Sequence, residues 1–390
     1  MGKRAAALVS FVLVAGIVTA AGPAVAQPPR CDRDRATIVG TTGNDRIRGT
    51  EGRDVIVSLG GDDVIDGLSG SDSICSGPGD DTVSASGGRF DHVEAGSGND
   101  VVRGGPGFQD SIYAGSGNDV VHGGRGRNML VAGPGRDRMY GGPHFDNFES
   151  PGRGWDPDRD LFVGGGRSDF FGADPGSDTF KGGPGRDGLW FFQAPSGVHI
   201  DLARGTARGD GRDTLESIED TVGSRYADTV IGTNGPNDIF TSTGNDTVFG
   251  RGGDDELSDE SGKDHFEGGG GDDEIHTTFC ISSSDGDAEC QNDAALHDTL
   301  IGGPGNDTMS TGPGNDELSG NGGDDWMHGG DGTDRISGGA GNDTLHGGTA
   351  AGDDPEADDG DTDDVDGGAG IDECGGPDDN QTDCELPYPP

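Results

Sequence analysis

The sequence is short of the residues from which ordinary globular proteins are built. Hydrophobic side chains make up 29 % of the 390 residues and aromatic ones 6 %. So little apolar material excludes one large core, and the chain must stay disordered or fold with outside help. Cations are scarce as well: 26 Lys and Arg stand against 73 Asp and Glu, a formal net charge of −47. That imbalance excludes a nucleic-acid binder, which needs cations along its face. It favours hard metal cations with oxygen ligands instead. There is no H-E-x-x-H, which removes the metalloprotease motif, and no G-x-S-x-G, which removes the nucleophile elbow of lipases. No C-x-x-C pair is present either, which argues against a zinc site.

What is present begins with an export signal. Lys3 and Arg4 precede an apolar run from Ala5 to Ala21, and Ala24-Val25-Ala26 fits a small-x-small cleavage pattern. The expectation is a signal peptide over residues 1–26, a mature chain starting at Gln27 and a protein released outside the cell. No later run is long and apolar enough to cross a bilayer. The cysteines suit the oxidising compartment that export implies. Cys280 and Cys290 lie close together in one insertion, Cys374 and Cys384 near the end, and Cys31 and Cys75 remain. Local pairing in that order is expected.

The dominant feature is a nine-residue period. From Gly40 the chain reads GTTGNDRIR, GTEGRDVIV, SLGGDDVID, GLSGSDSIC, SGPGDDTVS. Each unit has Gly at position four, Asp at six and a β-branched residue at eight. The position-six residues are Asp45, Asp54, Asp63, Asp72 and Asp81, and after one extra residue Asp91 and Asp100. The series continues through Asp110 and Asp119, then Asp137 and Asp146 with Asn128 in the vacant slot, and Asp169, Asp178 and Asp187. It returns at Asp246, Asp255, Asp264 and Asp273, then runs unbroken through Asp298, Asp307, Asp316, Asp325, Asp334 and Asp343. Glycines at positions one, two and four permit tight turns, and a carboxylate at six adds an oxygen ligand to the carbonyls such turns expose. Positions seven to nine suit a strand of about three residues whose middle side chain points inward.

Gly302-Gly303-Pro304-Gly305-Asn306-Asp307-Thr308-Met309-Ser310 and Gly338-Gly339-Ala340-Gly341-Asn342-Asp343-Thr344-Leu345-His346 fit G-G-x-G-x-D-x-U-x at every defined position. The pattern resembles the RTX, or haemolysin-type, calcium-binding repeat and covers most of residues 40 to 348. The resemblance implies an all-β chain, a right-handed parallel β-roll of two or three stacked blocks with a thin aliphatic core. It implies many Ca2+ ions in lateral columns, each shared by Asp residues two repeats apart, such as Asp307 with Asp325. The expected ligands are Asp45, Asp54, Asp63, Asp72, Asp81, Asp100, Asp119, Asp137, Asp246, Asp255, Asp264, Asp273, Asp298, Asp307, Asp316, Asp325, Asp334 and Asp343.

The period divides the chain into a block over 27–190, a segment over 191–227, a block over 228–348 with an insertion at 277–297, and a tail over 349–390. Alternation around Val198, Ile200 and Leu202 suggests short strands packing on the end of the roll. Trp190, Phe191 and Phe192 are expected to cap the thin core rather than form a sugar platform. The tail holds an acidic loop that fails the EF-hand test, since Asp364 stands where glycine is needed and Gly370 where glutamate is needed. His122, His276, His328 and His346 all fall at position nine, an exposed strand position. The expectation is a non-catalytic, secreted, calcium-binding repeat protein with a structural, adhesive or calcium-sequestering role and a cell-surface or matrix partner. Its rival is a polysaccharide lyase or epimerase on a parallel β-helix. That rival needs a long repeat-free stretch, and none has the length of a catalytic domain.

Overall fold

A computed structural model of the chain describes residues 29–149, 157–277, 281–282, 288–289, 297–348, 363–375, 380–384 and 386–387. The expected signal peptide, the Cys280–Cys290 pair and most of the acidic loop lie outside the described residues. Among those described there is no helix, and parallel sheets wind into a β-solenoid of about 17 turns. The nonapeptide explains the winding. Three residues of strand give one flat side, a glycine-rich turn reverses the chain, and the next three give the opposite side.

Two sheets result. One stacks Arg46–Arg48, Val64–Asp66, Thr82–Ser84, Val101–Gly105 and Val120–Gly124 in parallel. The other stacks Val55–Val57, Ser73–Pro78, Phe90–Ser97, Gln109–Ser116 and Met129–Val131. Register is set by position eight: Ile47 faces Ile65, Val83 and Val102 in turn, and Ile56 faces Ile74, Val93 and Ile112. These side chains meet those of the opposite sheet in one continuous buried core. Where position eight is aromatic the core is filled by rings, with Phe148 stacked on Phe171 at 4.7 Å and Phe162 on Phe180 at 5.1 Å.

Across the insertions the flanking strands pair as successive turns without a shift of register. His265–Gly270 pairs directly with Thr299–Pro304, and Arg335–Ala340 with Asp364–Ala369. The segment expected to pack on the end of the roll behaves differently. It lies in line with both sheets: Arg212–Glu216 pairs with Thr179–Lys181, and Asp220–Val222 with Gly188–Trp190. His199–Asp201, Thr206–Arg208 and Arg212–Glu216 form an antiparallel meander, and His199–Asp201 hands the sheet on to Thr229–Ile231. Strand edges in a parallel stack seek any partner with the right pleat, and the alternation at Val198, Ile200 and Leu202 supplies it.

Of the three aromatics expected to cap the core, Phe191 alone is buried, while Trp190 stands outside against Phe170 at 5.1 Å and Phe192 lies under the Arg225 guanidinium. Strand alternation allows only one of two adjacent side chains inward. His346 departs from its expected exposure. It is buried on the outer face of its sheet between His328 and Trp326, and burial holds its pKa below the usual value. The ends are stapled as the spacing suggested, Cys31 to Cys75 and Cys374 to Cys384, with Cα separations of 5.7 and 6.0 Å. Cys374 sits in the inward slot, level with Leu345.

Candidate metal centres

One repeat shows why its residue types are needed. A Cβ on Gly302 would lie 2.2 Å from Oδ2 of Asp307 in the same repeat. Gly305 has φ +154°, and a Cβ there would lie 1.5 Å from the Gly271 carbonyl oxygen of the preceding turn. The first glycine makes room around a carboxylate oxygen, and the other permits a left-handed turn pressed against its neighbour.

The position-six carboxylates form two columns, one along each edge where the sheets meet. Each backbone N–H donates to Oδ1 of the acid one turn further on. Asp307 N–H donates to Asp325 at 2.8 Å, Asp325 to Asp343 at 2.9 Å, and Asp246 to Asp264 at 2.7 Å. One column joins Asp45, Asp63, Asp81, Asp100, Asp119 and Asp137, then Asp160, Asp178 and Asp213. The meander interrupts it, since Val198 donates to Asp228. It then resumes through Asp246, Asp264, Asp298, Asp316, Asp334 and Asp363. The other joins Asp54, Asp72, Asp91, Asp110, Asn128, Asp146, Asp169, Asp187 and Glu219. It continues from Asn237 through Asp255, Asp273, Asp307, Asp325, Asp343 and Asp372.

The columns therefore bring together every expected ligand and add several. Asp160, Asp213, Asp228, Asp363 and Glu219 fall outside the expected set. Asp160 and Asp228 keep the nine-residue count, each one step ahead of the first expected acid or amide of its block, Asp169 and Asn237, whereas insertions displace Asp213 and Asp363 and Glu219 lies in a segment without repeats. For Asp213 and Glu219 the only sequence signal is an acid at or just before the start of a short strand.

The second carboxylate oxygen tests whether these loops suit a cation. In Asp63, Asp72, Asp100, Asp119, Asp255, Asp273, Asp307, Asp325 and Asp343, Oδ2 is buried and receives no hydrogen bond. A buried acceptor without a donor is costly, so a whole row of them marks the place of a positive partner. Burial also pushes Asp72, Asp100, Asp119, Asp255, Asp273, Asp307, Asp325 and Asp343 up, opposed by the backbone N–H bonds and reinforced by neighbouring carboxylates. Asp100, Asp255 and Asp307 reach about 7, and Asp72 and Asp325 about 6. Anionic oxygens in a rigid carbonyl-rich turn are a donor set for a hard cation such as Ca2+. The residues fit the metal.

Four loops are built differently. Oδ2 of Asp45 accepts from Thr41 N–H at 2.6 Å and its hydroxyl at 2.9 Å, and Asp54 is held likewise by Thr50. Asp45 is only half-buried. Ser224 bonds Asp228 in the same way, and Thr233 bonds Asn237. Here a hydroxyl at position two supplies the donors that the glycine loops lack. Elsewhere the columns gain extra acid: Asp174 joins Asp160 and Asp178, and Asp259 joins Asp246 and Asp264. In each group one ligand atom of every residue lies within 4.8 Å of the others.

Fold and loops together define a cation-binding parallel β-solenoid. The family model of the RTX calcium-binding nonapeptide repeat matches residues 39–74, 48–83, 76–108, 113–143, 156–189, 222–257, 249–278, 295–327 and 319–354. These cover more than half of the chain, which belongs to that family. A search of curated proteins finds no match to it.

Proposed function

We propose that the chain is exported and folds outside the cell as calcium fills its two columns, serving a structural, adhesive or calcium-sequestering role. The row of buried Oδ2 atoms without donors carries this reading. It explains why a chain of net charge −47 keeps so many carboxylates in line: each needs a counter-charge, and divalent ions relieve the repulsion that otherwise opposes folding. Export is supported by the basic and apolar pattern of residues 3–26 and by cysteines that pair at both ends of the described solenoid. The reading assigns no catalytic centre, because nearly all of the buried carboxylates stand in or beside the columns, Asp201 with its Arg204 partner being apart from them.

Expression in a bacterial host with fractionation tests it. The expected product in the medium begins at Gln27 and holds many calcium ions per chain by metal analysis. A product retained inside the cell with residues 1–26 intact, or one without calcium after purification in millimolar calcium, contradicts it.

A further inference from the structure

Position one of the nonapeptide is the point in the loop nearest the carboxylate. A Cβ there meets Oδ2 of its own repeat's acid, at 2.4 Å for Gly250 against Asp255 and 2.1 Å for Gly320 against Asp325. A side chain at position one therefore points at the oxygen that would bind the cation. In the other nonapeptides whose position one is described, that residue is Gly, Ala, Ser or Thr. In the repeat of Asp264 it is Asp259.

Asp259 does not escape to solvent. It is fully buried, and Asp246 and Asp264 are 1 % and 2 % exposed. Its backbone N–H donates to the His276 carbonyl at 3.0 Å, and the Thr241 hydroxyl donates to its Oδ1 at 3.2 Å, which fixes the side chain in the loop. No donor from the rest of the protein reaches Oδ2 of Asp246, Asp259 or Asp264. Three buried carboxylates thus converge, one ligand atom of each within 4.8 Å of the others, with one oxygen each unmet. Among the described residues only one other group, Asp160, Asp174 and Asp178, brings three acids together in this way.

We infer that Asp246, Asp259 and Asp264 form a three-carboxylate site for a hard divalent cation, Ca2+ in the secreted protein, that fills before the two-carboxylate sites of the columns. The inference rests on the calcium reading proposed above and adds to it a rank order. Ligand charge count tunes calcium affinity over several decades, and a third carboxylate moves a site from the roughly 10⁻⁴–10⁻³ M range of extracellular modules to about tenfold tighter or more. Asp160, Asp174 and Asp178, with Oδ2 of Asp178 also lacking a donor, make a second member of the same class. The two groups lie on one column on either side of the meander, so the first ions bound pin the stretch where the repeat register is weakest.

Calcium titration of the full mature chain in competition with a chromophoric chelator of about micromolar affinity tests this, with Asp259→Gly and Asp259→Asn as variants. The glycine restores the repeat motif, and the asparagine keeps the volume while removing the charge. The wild type is expected to show two ions bound at least about tenfold tighter than the rest, and each variant one. Total calcium at millimolar concentration and the far-ultraviolet spectrum are expected to stay unchanged. A single affinity class in the wild type, or two tight ions in either variant that folds, overturns the inference. Absence of calcium binding at any concentration contradicts the family-level reading instead, so the two failures are distinguishable.

Discussion

Within one repeat the two oxygens of the position-six aspartate have separate duties. Oδ1 accepts the N–H of the turn before and ties neighbouring turns together, whereas Oδ2 faces the loop and stays unmet. Asp325→Ala, between Asp307 and Asp343, is expected to remove the ions shared with both. Asp45→Ala is expected to remove none, because Thr41 already satisfies that carboxylate. Equal losses from the two variants, by metal analysis of calcium-saturated protein, contradict this division. The glycines make an independent prediction. Gly323 has φ +140°, and a Cβ there would lie 1.6 Å from the Gly305 carbonyl oxygen. Gly323→Ala is expected to destabilise the calcium-loaded protein by about 2 kcal/mol or more. Arg251, exposed at φ +83°, bears the same left-handed cost with a full side chain, so Arg251→Gly is expected to gain about 0.5–1 kcal/mol. Denaturation midpoints in saturating calcium check both signs.

At the scale of the element, a turn is held by neighbours on two sides and an end turn by one. The disulfides sit where that deficit lies. Cys31–Cys75 closes a span of 44 residues and Cys374–Cys384 one of 10, worth about 4 and 3 kcal/mol by chain-entropy arguments. Both are expected to be secondary to the cation columns. Reduction in saturating calcium is expected to leave the far-ultraviolet spectrum nearly intact while amide exchange accelerates near Ile38–Val39 and Glu373–Gly375. Global unfolding by reductant alone reverses that hierarchy. These elements also show how far the sequence could be read. The spacing of Asp307, Asp325 and Asp343 made the ladder legible because eighteen residues is one turn. Asp213 and Asp363 were hidden because the turns leading to them carry extra residues. The meander of residues 199–216 was legible as strands through Val198, Ile200 and Leu202, but not in its place. Pairing partners are set by the open sheet edges on either side, which no local pattern records.

Across the whole molecule, the acids dictate how the fold responds to protons. Burial raises Asp100, Asp246, Asp255, Asp307 and Asp316 to about 7 in the cation-free fold, well above the ordinary carboxylate range. A group whose folded pKa exceeds its unfolded one contributes stability that is complete below the unfolded value and lost as pH rises through the folded value. Without calcium, the solenoid is therefore expected to be most stable below about pH 4 and to lose stability as pH rises from there to about 7, as the carboxylates ionise against one another. With calcium the dependence inverts, because protons and cations compete for the same oxygens and affinity falls on acidification through that range. A flat ellipticity between about pH 4 and 7 in EDTA contradicts the burial of these acids in the cation-free state. The central claim is that cations complete the fold, and the most direct test is the far-ultraviolet circular dichroism of the mature chain at neutral pH, in EDTA and then in about 10 mM calcium, roughly tenfold above the extracellular affinity range. A largely unfolded spectrum that converts to β-structure on adding calcium is the predicted result, and identical spectra in the two conditions contradict the account.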